Sequence, residues 1–167
     1  MAYSIALQCK ILAMLRLAWF VLLSFVAAFA EELPSRKFLN LAAIKVLVAT
    51  AEAEARQRNV QVTICIVDES GNLLFFQKAD RANLTTIGYA QKKARHAALY
   101  GRPSKTAADS LKNGNLGVLV YPDSFPNQGG VPIQVEGHVI GAIACSGAAS
   151  EIDEAIAQSA VDALLKK

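Results

Sequence analysis

The stretch from Gly129 to Ile156 constrains the fold more than any other part of this chain. After Gly129-Gly130, the residues Val131, Ile133 and Val135 recur at alternate positions, the period of a half-buried strand. Glu136-Gly137 is a two-residue hairpin turn, and the chain returns as Val139-Ile140-Gly141-Ala142-Ile143-Ala144-Cys145. Ser146-Gly147 breaks the returning strand, and Ser150-Glu151-Ile152-Asp153 has the form of a capping box opening a helix. Glycines at 129, 130, 141 and 147 imply a close backbone approach or dihedrals that a Cβ would forbid. The loops Gly129-Gly130 and Ser146-Gly147 are read as a ligand-facing rim; tight turns with one close strand contact account for them equally well.

The preceding chain supplies the partners of this hairpin. Ser35 caps a helix expected over Arg36–Arg58, whose Phe38, Leu39, Ala42, Val46, Ala49 and Ala53 recur at three- and four-residue steps, with Asn59 as terminator. Val60–Val67 and Leu73–Lys78 read as strands joined by the turn Asp68-Glu69-Ser70-Gly71-Asn72. A helix from Thr85 or Thr86 to Tyr100 stops at Gly101, and Arg102-Pro103-Ser104 opens a short helix to about Asn113. Leu116–Tyr121 reads as a further strand, and Glu151–Leu165 as the last helix. The order, with hairpins instead of βαβ crossovers, predicts an α+β fold in which an antiparallel sheet of about five strands packs with helices.

Composition narrows the class. Lys10 and Arg16 precede an apolar run, Leu17–Ala27, closed by Ala28-Phe29-Ala30. This is the pattern of a cleaved export signal over residues 1–30, which leaves one domain over 31–167 and predicts a periplasmic or secreted protein. The apolar run is short for a membrane span, so stable membrane insertion after cleavage is not expected. Beyond residue 30 the chain has fifteen basic and fourteen acidic residues, and no basic run interleaved with aromatics, which argues against a nucleic-acid surface. Cys65 and Cys145 both lie in apolar strand-like runs and are expected as buried thiols; export would permit a disulfide between them.

The helix 85–100 sorts its residues by chemistry at 100° per residue. Ile87, Ala90, Gln91, Ala94, Ala97 and Ala98 form one small-residue face toward the sheet; Tyr89, Lys92, Lys93, His96 and Tyr100 gather on the other, read as outward. That outward face suits a ligand, an oligomer contact or plain solvation. His96 is the residue able to ligate iron through neutral imidazole, and Arg81 with Lys92 or Lys93 suits a carboxylate. No catalytic site is assigned: Ser146 lacks the G-x-S-x-G elbow, neither histidine has metal-site spacing, and no phosphate loop is present.

Several segments together resemble the GlcG/HbpS family, also called the haem-degrading domain, which recurs at the C-terminal end of PduO-type proteins. They are Val67–Leu73, Lys92–Ala98, Arg102-Pro103-Ser104, Gly129–Ile133, Gly137–Gly147 and Glu151-Ile152-Asp153-Glu154. The resemblance covers nearly all of residues 35–167. It implies a small profilin-like α/β sandwich that assembles as a homo-oligomer, and, for exported members, haem binding linked to sensing or sequestration. Two departures stand out. The family usually has an Arg-Met-Asp-Gly-like segment where this chain reads Lys78-Ala79-Asp80-Arg81, and many relatives carry Thr at the position of His96.

The leading expectation is therefore an exported, homo-oligomeric haem-binding protein, with Tyr89, Lys92, His96 and Tyr100 on one face and Arg81, Gly129, Gly130, Ser146 and Gly147 as further contacts. The alternative is an enzyme or binding protein for a small carboxylated metabolite, with the two glycine loops donating N–H groups to an anion and Asp68 or Asp80 as acid/base. A third reading is a structural oligomeric module.

Overall fold

Thr63–Val67 (β1) and Leu73–Lys78 (β2) form one antiparallel hairpin, and Gly130–Val135 (β3) and His138–Ser146 (β4) form another. β1 joins the two by pairing antiparallel with β4, from Thr63 opposite Ser146 to Val67 opposite Ala142, giving the sheet order β2-β1-β4-β3. The structure, a computed structural model, describes Leu33 and residues 35–166, so the expected signal segment 1–30 lies outside the described residues. All elements named here belong to the unit Lys37–Lys167. Four helices complete it: Leu41–Gln57 (α1), Thr85–Tyr100 (α2), Lys105–Lys112 (α3) and Ser150–Leu165 (α4).

Side chains alternate across each strand, and here both faces are covered. Ile64 and Ile66 of β1, with Ile143 and Cys145 of β4, meet Leu47 and Ala51 of α1 and Ile156 and Ala160 of α4. Cys65, Val67, Ala142 and Ala144 point the opposite way, against Ala90, Ala94, Ala97 and Ala98 of α2. The first layer is filled with large aliphatics; the second is thin, so α2 sits close on the sheet. Cys65 and Cys145 therefore face opposite layers and remain free thiols.

Turn chemistry follows the sequence closely. Glu136 (φ 53°) and Gly137 (φ 79°) are both left-handed, as a two-residue type I′ hairpin turn requires. Asn59 (φ 53°) ends α1, and Gly101 (φ 62°) ends α2. The Asp68 carboxylate accepts from the backbone N–H groups of Ser70 and Asn72 at 2.9 and 2.8 Å, holding the β1–β2 turn.

Three expectations are corrected. α1 begins at Leu41, because Asn40 and not Ser35 supplies the cap: its Oδ1 accepts from the Ala43 N–H at 2.9 Å. α4 begins at Ser150 after Ala149, and its Asp153 reaches back to the Ala148 N–H at 3.0 Å, so Ser150 is not the capping residue. Leu116–Tyr121 is not a strand. Leu116–Leu119 is a 3-10 turn started by Asn115, whose side chain accepts from the Gly117 N–H; only Val118 is buried, and four strands are present among the described residues.

Gly130 and Gly147, at the two ends of the second hairpin, face the protein itself. A Cβ on Gly130 would lie 2.2 Å from the Lys93 carbonyl oxygen, and one on Gly147 would lie 2.2 Å from the Gln61 carbonyl oxygen. β3 thus runs backbone to backbone against α2. Gly130→Ala should cost about 3 kcal/mol or more, because rigid backbone must move. Gly88→Ala, on the exposed side of α2 with nothing within 4 Å, should instead stabilise by about 0.5–1 kcal/mol through helix propensity. Urea unfolding of the two variants checks this; equal effects would contradict the packing described.

Candidate ligand site

α2 is enclosed on more sides than its sheet-facing stripe. Lys93, expected outward, is 2% exposed, and its Nζ donates to Asp153 Oδ2 at 3.0 Å and to the Cys145 carbonyl at 3.3 Å. The ammonium passes beside Gly129, where a Cβ would lie 2.8 Å from Nζ. Asp153 divides its two oxygens between Lys93 and the Ala148 N–H. One buried ion pair therefore ties the middle of α2 to the end of β4 and the first turn of α4. Both cysteine thiols stay protonated: burial pushes Cys65 up to about 12, and burial and then the Asp153 charge raise Cys145.

A second flank of α2 is covered by the strap Tyr121–Phe125. Tyr100 Oη donates to the Pro122 carbonyl at 2.6 Å, and the Phe125 N–H donates to His96 Nδ1 at 3.0 Å. Arg95 grips Asp123 with two bonds, Nε to Oδ1 at 2.7 Å and Nη2 to Oδ2 at 3.3 Å, which hold the Asp123 carboxyl below the usual range. The Tyr89 ring lies 5.7 Å from Phe125, and Lys92 Nζ lies 5.6 Å from the same ring centroid. The face that carries Tyr89, Lys92, His96 and Tyr100 is real, but the strap lies along it.

His96 is 1% exposed and stacks on Tyr100 with centroids 4.6 Å apart. Accepting at Nδ1 places its proton on Nε2, which makes no hydrogen bond. In this arrangement His96 offers iron no lone pair, so the expected outward ligand is corrected to a buried clamp on the strap. Burial, then the charge of Arg102, lower its pKa, with the Asp123 backbone acting the other way.

Between the β1–β2 hairpin, α2 and Asp123 lies a cavity of about 410 Å³. Cys65, Val67 and Leu73 make its apolar side; Gln91, Lys92, Arg95 and Asp123 make its polar side. A cavity of about 140 Å³ between α1 and the start of β1 includes Glu52 and Gln77, which bond each other at 2.6 Å. Among the described residues no group of three His, Cys, Asp or Glu side chains is placed to hold a metal ion.

Of the residues singled out from the sequence, the structure brings Lys92 to the larger cavity, and Tyr89 and Tyr100 to the strap beside it. Arg81 is exposed after β2 and is not among the cavity's lining residues. Gly129, Gly130 and Ser146 are buried, and the Gly130 N–H is taken by Ser104 Oγ at 2.9 Å, so it is not offered to an anion. Gly147 is exposed, yet its backbone abuts Gln61. Asp68 is engaged in its turn. Arg95 and Asp123 were missed. Arg95 stands three residues after Lys92, one helical turn along the same side, and that spacing was the available signal.

The chain and its fold have known relatives. The profile of the family described as haem degrading protein, HbpS-like, matches residues 39–162. The chain belongs to this family. It is 33% identical over 100 residues to the protein GlcG of Escherichia coli strain K12, covering 60% of this chain and 75% of GlcG. It is similar in structure to Klebsiella pneumoniae protein ORFY, with a TM-score of 0.74, 26% identity and coverage of 81% of this chain and 97% of ORFY. A PduOC:haem complex matches at a TM-score of 0.71 and 27% identity, over 76% of this chain and 95% of PduOC. The HbpS-like resemblance and the α+β fold read from the sequence are both borne out.

The His96 clamp has a pH signature. The unfolded chain takes up a proton near the ordinary value of about 6.5, whereas the folded side chain does so only at lower pH. The contribution of His96 to stability is therefore complete above about 6.5 and is lost as pH falls toward the folded value. His96→Gln, which keeps an acceptor for Phe125 but cannot titrate, should lose less Tm than the parent between pH 7.5 and 5. Parallel thermal melts at both pH values test this; identical losses would show that His96 is not the titrating group.

Proposed function

We propose that this protein binds haem in the cavity between the β1–β2 hairpin and α2. The supporting observation is that cavity itself, in a chain of the HbpS-like haem-degrading family: apolar Val67 and Leu73 on one side, Lys92 and Arg95 on the other. A porphyrin has a flat apolar body and two carboxylates, which those two sides match. The volume of about 410 Å³ falls within the range of small-molecule sites, and the open side lets a larger macrocycle extend outward. Cys65, the lining thiol, is held protonated by burial and so offers iron no thiolate. The lining thus fits the macrocycle and its carboxylates, with Lys92 and Arg95 as the groups that orient it. Bound haem would supply its iron centre, and the role that suits such a site is sequestering or sensing haem.

Export belongs to the same proposal. The basic and apolar segments within residues 1–30, closed by Ala28-Phe29-Ala30, support delivery to the periplasm or the exterior. Among the described residues no helix is long and apolar enough to cross a membrane. Self-association is supported by Leu116, Leu119, Val120 and Tyr121, a run of large apolar side chains each at least half exposed.

A small carboxylated metabolite would meet the same cations, so the ligand class is decided by titration. Haemin added to the protein lacking residues 1–30 should shift the Soret band and saturate, and Lys92→Ala should weaken binding by about threefold to tenfold. Absence of a Soret change at tens of micromolar haemin, together with thermal stabilisation by a small dicarboxylate, would replace haem by the metabolite reading.

A further inference from the structure

We infer that Arg95 is the carboxylate-recognising residue of this cavity and that Asp123 is a built-in stand-in for the ligand's carboxylate. This rests on the haem-site reading above and adds to it the specificity element and its internal competitor. Three features of the geometry support it. Arg95 and Asp123 both line the cavity, and the guanidinium presents two parallel donors to the Asp123 carboxylate, the fork geometry with which arginine takes any carboxylate. Arg95 is also aimed from behind. Its Nη1 donates to the Gly71 carbonyl at 3.3 Å, and a Cβ on Gly71 would lie 3.0 Å from both its Cγ and Nη1, so the β1–β2 turn is shaped around this side chain.

The stand-in is placed so that it can leave. Both partners are partly exposed, 43% and 39%, where water and salt weaken an ion pair, so an incoming carboxylate exchanges with Asp123 at small cost. The strap keeps its other anchors, Tyr100 to Pro122 and Phe125 to His96, when the Asp123 side chain swings away. The exchange therefore needs a side-chain rotation, not an opening of the fold. Asp123 itself holds a left-handed backbone (φ 56°), a conformation for which Asn and Gly are the natural replacements. The consequence is selective: a ligand with a free carboxylate competes with Asp123, and a ligand without one has nothing to exchange.

The test uses haemin and haemin dimethyl ester, which share the macrocycle and differ in the two carboxylates. Asp123→Asn and Asp123→Gly both suit φ 56° and remove the competing charge, and circular dichroism verifies that each variant is folded. Both should bind haemin about threefold to tenfold more tightly than the parent and the diester with unchanged affinity. Arg95→Gln should bind haemin more weakly and reduce the preference for haemin over the diester. Equal tightening toward both porphyrins would mean that Asp123 merely tethers the strap, and unchanged or weaker haemin binding would mean that it is no competitor. Either result overturns the inference and leaves the haem reading standing. Failure of parent and variants to bind either porphyrin overturns both.

Discussion

The buried Lys93–Asp153 ion pair is the contact on which the arrangement of α2 depends. Removing two charges from water costs several kcal/mol per ion, and a buried pair persists only when each charge is well matched and its remaining hydrogen-bonding capacity is used. Here Lys93 also reaches the Cys145 carbonyl, and Asp153 also receives the Ala148 N–H. The glycines at 129 and 130 clear the path, since a Cβ at either would collide with Lys93. The pair therefore fixes both the depth and the rotation of α2 on its thin alanine layer. Rotation matters most: with Lys93 turned inward, Lys92 and Arg95 point to the cavity and His96 to the strap.

Much of the fold was legible because its decisive residues act locally. Glu136-Gly137, Asn59 and Gly101 each specify a left-handed backbone, and their elements end where the residues demand. Alternation along Val131–Val135 and the apolar run to Cys145 marked the second hairpin correctly. Two readings failed, one for a local reason and one for a distant one. Leu116–Tyr121 is apolar enough for a strand, yet the Asn115 side chain captures the Gly117 N–H and winds the segment into a 3-10 turn. Asp153 looked like part of a capping box, and one oxygen does reach back to the Ala148 N–H, but the other is held by Lys93, sixty residues away. A wheel divides a helix into an inner and an outer half. It could not show that α2 meets the sheet, the start of α4 and the strap at once.

The candidate site was only partly legible for the same reason. Lys92 and the two tyrosines were found by their common face, but the strap that covers this face comes from a loop with no pattern of its own. His96 drew notice as an exposed base and proved to be a buried acceptor; nothing in its neighbours along the chain foretold the Phe125 N–H. The glycine loops drew notice as a ligand rim; the bareness of Gly129 and Gly130 instead serves the passage of Lys93 and the approach of β3 to α2, and that of Gly147 the approach to Gln61. Chemistry follows from this redistribution. Binding capacity lies at the β1–β2 hairpin and α2, where apolar side chains meet two cations, and the terminal hairpin is its support.

A double-mutant cycle on Lys93 and Asp153 measures the central claim. Lys93→Met leaves a buried carboxylate, and Asp153→Asn leaves a buried ammonium while retaining the acceptor for Ala148; each should lower the unfolding free energy by about 3–5 kcal/mol. The double variant, with both charges gone, should be no less stable than either single one, giving a large coupling energy. Single costs below about 1 kcal/mol that simply add would contradict the account, because the pair would then be neither buried nor what positions α2.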